Sequence, residues 1–223
     1  MKFSLLGILS ILLFLSSCKK SGSGSGSAAA YMTFTTGSSW NYEQVNNAAV
    51  PPSTSTYTLT STNRDSTIDG VSFHVFSNSA TGTSEYYSLS GGAYTTFQKL
   101  PDALGGTKVV NLYLKDNVEV NSTWAQTYNI SYSGLPLVVT ATNLLKEKGI
   151  SLNVKGKSYT GVIHVQTTIS IAGLPPTALT TDIHSYYAPK VGLIQSTNKV
   201  TLNYLGINNT TDVTTNLVSS TVM

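Results

Sequence analysis

The chain has one cysteine, Cys18, and therefore no partner for an internal disulfide. Charge is scarce: 10% of its 223 residues are Asp, Glu, Lys or Arg, against about 25% in an ordinary soluble domain. Solubility then rests on Ser, Thr and Asn. Three histidines, His74, His164 and His184, stand far apart, with no His-x-x-x-His spacing to suggest a metal. Ser196-Thr197-Asn198-Lys199 has the Ser-x-x-Lys pattern of an acylating serine but none of the companion motifs that chemistry needs. The few acidic residues are scattered, which disfavours a paired-carboxylate hydrolase. The expectation is a chain without metal, cofactor or catalytic set. Helical stripes are missing too, and thirteen tyrosines with abundant Thr and frequent Gly favour strands and turns.

The amino terminus holds the most specific signal. Lys2 precedes an uncharged apolar run, Leu5 to Leu15, too short to span a bilayer and laid out like a secretory signal. Leu15-Ser16-Ser17-Cys18 closes it. This stretch resembles the lipobox of bacterial lipoproteins. The resemblance implies cleavage before Cys18 and acylation of that residue, so that residues 1–17 are signal peptide. More than one acyl chain gives a firm membrane anchor. Residues 18–30 follow as a tether, with alternating Ser and Gly from Ser21 to Ser27. As a flexible coil, Lys19 to Ala30 spans roughly 17–21 Å, and Lys19 and Lys20 are free to rest on anionic lipid.

Cleavage leaves twelve Lys and Arg against ten Asp and Glu, a balance of +2 that gives no footprint for nucleic acid. Lysine after the cysteine points, by the lipoprotein resemblance, to the outer membrane. The lack of acidic residues there favours its periplasmic face over surface display.

Residues 31–223 read as a single all-β domain. In "TWAQTYNISY", Trp124, Gln126, Tyr128, Ile130 and Tyr132 share one parity; in "GVIHVQTTISI", Ile163, Val165, Ile169 and Ile171 face opposite His164 and Gln166. That period of two marks sheets with one drier face. "LLKEKGISLNV" reads as a hairpin turning at Lys148-Gly149.

The chain also repeats itself, over about 37–98 and 121–205. Trp40 lies 30 residues before Gly70, and Trp124 lies 32 before Gly156. Phe73 and Tyr159 each follow their glycine by three residues, and the pairs Tyr86-Tyr87 and Tyr186-Tyr187 come next. Asp69-Gly70 and Lys155-Gly156 carry the signature of tight hairpins. Each copy is too small to bury a core alone, so two antiparallel meanders are expected to share one, as a half-barrel or sandwich-like sheet. "YYAPKVGLIQS" and the Gly-x-x-Tyr pattern resemble β-rich cell-envelope lipoproteins of Bacteroidota-type bacteria, a resemblance that brings no active site with it.

The leading expectation is a lipid-anchored envelope module that binds or interacts without catalysis. Its partners would be the membrane, through the lipid, and a protein, glycan or hydrophobic ligand. The alternatives are a carrier or sensor of a hydrophobic small molecule, and an envelope hydrolase with an unfamiliar site. Candidate ligand contacts are Tyr86, Tyr87, Tyr186 and Tyr187, which join apolar area to a hydroxyl, and His164 on the wetter strand face. Neighbouring strand residues point to opposite faces, so one tyrosine of each pair belongs to the core.

Overall fold

A computed structural model describes residues 29–100, 106–132, 135–204 and 206–223. The expected signal peptide, Cys18 and all but the last two residues of the expected tether lie outside the described residues. The first six strands form one continuous meander: β1 (Ser39–Asn46), β2 (Ser53–Ile68), β3 (Val71–Asn78), β4 (Ser84–Ser90), β5 (Ala93–Lys99) and β6 (Lys108–Lys115). The second six form another: β7 (Thr123–Tyr132), β8 (Leu135–Val154), β9 (Lys157–Ile171), β10 (Leu179–Ala188), β11 (Gly192–Tyr204) and β12 (Ile207–Thr221). Antiparallel pairing of β1 with β12 joins them into one 12-stranded sheet whose outermost strands are β6 and β7. The sheet curls until those two edges meet through side chains, so it is nearly closed as a barrel. The all-β expectation holds, and the sheet is one wrapped layer rather than two facing ones.

Local chemistry explains the β2–β3 and β8–β9 hairpins. Asp69 and Gly70 sit at φ 49° and 83°, Lys155 and Gly156 at 49° and 80°. Two consecutive positive φ values define the turn whose twist matches that of its flanking strands, and glycine adopts the second without strain. The Lys148-Gly149 expectation is corrected. β8 runs through it to Val154, and Gly149, at φ 79°, marks one of the register shifts along the β8–β9 ladder. A positive-φ glycine suits a bulge as well as a turn.

The repeated landmarks fall on strands in equivalent places. Trp40 and Trp124 lie on β1 and β7, the glycine turns link β2–β3 and β8–β9, and the tyrosine pairs lie on β4 and β10. Both tryptophans are buried and use the indole N–H on a distant backbone carbonyl, Val191 at 2.6 Å and Leu112 at 2.8 Å. Two apolar clusters hold the barrel. One gathers Trp40, Tyr42, Leu59, Phe76 and Leu217 with Val154, Tyr159 and Val162 of the β8–β9 hairpin. The other gathers Tyr31, Tyr94, Leu114 and Trp124 with Ile163, Val165 and Tyr187. Burying each such side chain stabilises by about 1.5–3 kcal/mol.

A strap before β1 spans the end of the barrel that carries both described termini. Its Ala30 carbonyl accepts from Lys190 N–H at 2.7 Å, the Tyr31 N–H donates to Tyr94 Oη at 2.8 Å, and Tyr31 Oη donates to the Gly161 carbonyl at 2.7 Å. Phe34 stacks on His74, ring centres 5.4 Å apart. The strap is therefore tied to β3, β5 and β9 and to the turn after β10.

Candidate functional site

Strands from around the whole sheet send side chains into two interior cavities. The smaller, about 220 Å³, lies against the strap and is lined by Met32, Trp40, Tyr42, Tyr57, Tyr87 and Tyr113 among others. The larger, about 510 Å³, is lined by residues of β5 to β11, including Val109, Ile130, Val139, Val165, Ile169 and Ile183. Asn111, Tyr113 and Tyr187 belong to both walls. Tyr113 and Tyr187 stand with ring centres 5.6 Å apart and form the partition.

Among the described residues the larger cavity has an uncharged wall. Its polar positions are amides and hydroxyls, such as Gln98, Asn143, Thr167, Ser185 and Asn198. Asn143 is itself buried, accepting from Thr167 Oγ1 at 2.6 Å and donating to the Leu112 carbonyl at 3.3 Å. Burial pushes the Tyr187 hydroxyl up to about 12, and it raises those of Tyr87 and Tyr113 well above the ordinary tyrosine value. These groups stay neutral donors and acceptors. The one carboxylate in either wall is Glu85 of the smaller cavity, held by Tyr87 Oη at 2.6 Å and by Asn78 Nδ2 at 2.5 Å.

The expected contact residues separate cleanly. Tyr87 and Tyr187 point inward and line the cavities. Tyr86 points outward and packs edge-on against Phe97, at 5.7 Å. Tyr186 also faces out and stacks on His164, with ring centres 4.3 Å apart. His164, expected on the wetter strand face, is 4% exposed and lines neither of these two cavities. The register explains this. Val165, Thr167 and Ile169 look inward, so His164 and Gln166 look outward, where Tyr186 covers the imidazole.

The outer wall carries a chain of titratable groups that sequence spacing does not reveal. His164 Nδ1 lies 2.7 Å from Glu147 Oε2, His164 Nε2 lies 2.7 Å from His184 Nδ1, and His184 Nε2 lies 2.9 Å from Asp182 Oδ1. Burial lowers the pKa of His164, its largest influence, against the opposing pull of Glu147. Among the described residues no cluster of three or more His, Cys, Asp or Glu side chains has the arrangement of a metal site.

His74 heads a second constellation. Its Nε2 is 2.9 Å from Ser61 Oγ and its Nδ1 is 2.7 Å from Asp65 Oδ1, the distances of a nucleophile–base–carboxylate triad. Ser61, however, is 2% exposed, and its hydroxyl also lies 3.0 Å from the Phe34 carbonyl, to which it donates. Phe34 covers the imidazole, and neither Ser61 nor His74 lines a cavity. The arrangement fastens the strap to β2 and β3.

No family model matches the chain, and no curated protein matches it. Two solved structures resemble it. A candidate lipoprotein from Parabacteroides distasonis aligns over 87% of this chain and 99% of its own, at 12% identity and a TM-score of 0.50. A candidate exported protein with YmcC-like fold from Bacteroides fragilis aligns over 86% and 99%, at 10% identity and a TM-score of 0.47. At such identities the first comparison speaks for the fold alone.

Proposed function

We propose that this protein is a lipid-anchored module of the cell envelope that holds a small, uncharged, largely apolar molecule inside its barrel and does no chemistry on it. The observation that carries this reading is the larger cavity. Its volume of about 510 Å³ falls in the range of about 300–1,000 Å³ typical of small-molecule sites. Its wall joins branched aliphatic side chains to neutral amides and hydroxyls. A buried charge without a partner is costly, so the part of a ligand that enters is neutral. Ser61 and His74 lie under the strap and the His164–His184 chain lies on the outside, so neither group lines the larger cavity. Lipidation at Cys18 would supply the anchor, and Lys19 and Lys20, with no acidic residue soon after the cysteine, favour the periplasmic face of the outer membrane.

Titration with the neutral apolar fluorophore N-phenyl-1-naphthylamine tests the reading. Saturable binding is expected, to be lost in Ser185→Trp, which fills the cavity, and kept in Thr168→Trp on the outer face. Equal binding by both variants would overturn it.

A further inference from the structure

The joins between neighbouring strands are backbone ladders, except where β6 meets β7. The repeated landmarks make β1 the counterpart of β7 and, by strand order, β6 that of β12, so this join corresponds to the one between β1 and β12. There, Ser39 to Asn46 pair along their whole length with the end of β12. At β6–β7 a side chain stands between the backbones instead. Gln126 accepts from Leu112 N–H through Oε1 and donates to the Val110 carbonyl through Nε2 at 3.0 Å. Its amide acts as a single surrogate peptide group. Trp124 Nε1 and Asn143 Nδ2 both donate to the Leu112 carbonyl, at 2.8 and 3.3 Å.

This clasp grips β6 at Val110 and Leu112. Both strands it joins contribute to the larger cavity, β6 through Val109 and Asn111, β7 through Tyr128 and Ile130. The cavity wall here is thus a slit with side chains across it. Outside, two valines flank it, Val110 on β6 at 38% exposed and Val138 on β8 at 41%, beside exposed polar residues such as Thr127 and Asn129 of β7.

We propose that the β6–β7 seam is the portal of the cavity, and that a neutral single-chain amphiphile slides its tail in sideways when the Gln126 clasp lets go. This rests on the cavity reading above. Breaking a few side-chain bonds opens the seam locally, whereas any other wall position would require a ladder to part, and elements open locally where such bonding is sparse. A ligand that entered through the loops at the end opposite the strap would ignore the clasp. A tail passing between β6 and β7 leaves a rim that includes Val110 and Val138 for aliphatic side chains within, and meets no charge among the described residues of the cavity wall.

Stopped-flow mixing of the full chain with N-phenyl-1-naphthylamine decides the matter. Gln126→Ala is expected to speed both loading and release about tenfold, the scale of one or two net hydrogen bonds, with affinity changed less than about threefold. Gln126→Glu keeps acceptance from Leu112 N–H and loses donation to Val110, so it should fall between; it serves if the alanine variant folds poorly. Saturable binding with rates unchanged in both variants would overturn the portal and leave the cavity reading standing. Absence of saturable binding in the unmodified chain would overturn both.

Discussion

Tyr113 of β6 and Tyr187 of β10 meet across the inside of the barrel, with ring centres 5.6 Å apart and tilted by 36°. They are the partition that makes two cavities out of one interior. Tyr113→Ala removes the partition from one side. It is expected to merge the cavities and to cost about 2–4 kcal/mol, less than a fully packed aromatic because the ring already borders open space. Chemical denaturation measures the cost. A longer apolar probe should bind the variant better than the unmodified protein.

The histidine chain on the outer wall predicts a pH dependence. Lys146 and Glu147 face His164 from β8, and His184 and Asp182 belong to β10. Burial lowers the pKa of His164 in the folded state, so the unfolded chain binds more protons as the pH falls below about 6.5. The His164 contribution is complete above that pH and is lost on acidification through the lowered folded value. Melting temperatures from pH 7.5 to 5 should therefore decline, and His164→Gln should flatten the decline while costing about 1–3 kcal/mol at neutral pH.

Tyr159 offers the opposite case. Its hydroxyl is buried without a hydrogen-bond partner, while its ring packs in the cluster with Trp40 and Phe76. An unpaired buried hydroxyl forfeits its hydration. Phe73, at the matching place in the first half, manages without one. Tyr159→Phe is expected to stabilise by about 1 kcal/mol, raising the melting temperature by about 2–4 °C.

How much of this was legible in the residues differs by feature. Strand parity and the Asp69-Gly70 and Lys155-Gly156 turns are local properties, and they are where the sequence places them. Gly149 was misread because Lys-Gly within a strand pattern gives the same signal for a bulge as for a turn. Parity also implied that one tyrosine of each pair is inward. Which face is concave depends on how the whole sheet closes, so the cavity role of Tyr87 and Tyr187 waited for the fold. Tyr113 and Ser61 carry no sequence signal, and His184 shows only that it lacks the spacing of a metal pair. Their partners come from other strands, His184 from His164 twenty residues away and Tyr113 from Tyr187, and no spacing rule connects them. The Gln126 clasp is equally hidden, because an inward-parity glutamine in "TWAQTYNISY" looks like an ordinary strand residue until β6 arrives beside it.

The anchor is tested in cells. Cys18→Ser is expected to move the protein from the membrane fraction to the soluble one. Continued sedimentation with membranes would refute attachment through this residue.

The most direct test of the central claim is native mass spectrometry of the intact protein, taken from its own envelope without delipidating detergent. The cavity account predicts a bound neutral molecule as extra mass beyond the acylated chain, absent from Ser185→Trp prepared alongside. Spectra showing only the acylated chain, or the same adduct on both proteins, would contradict it.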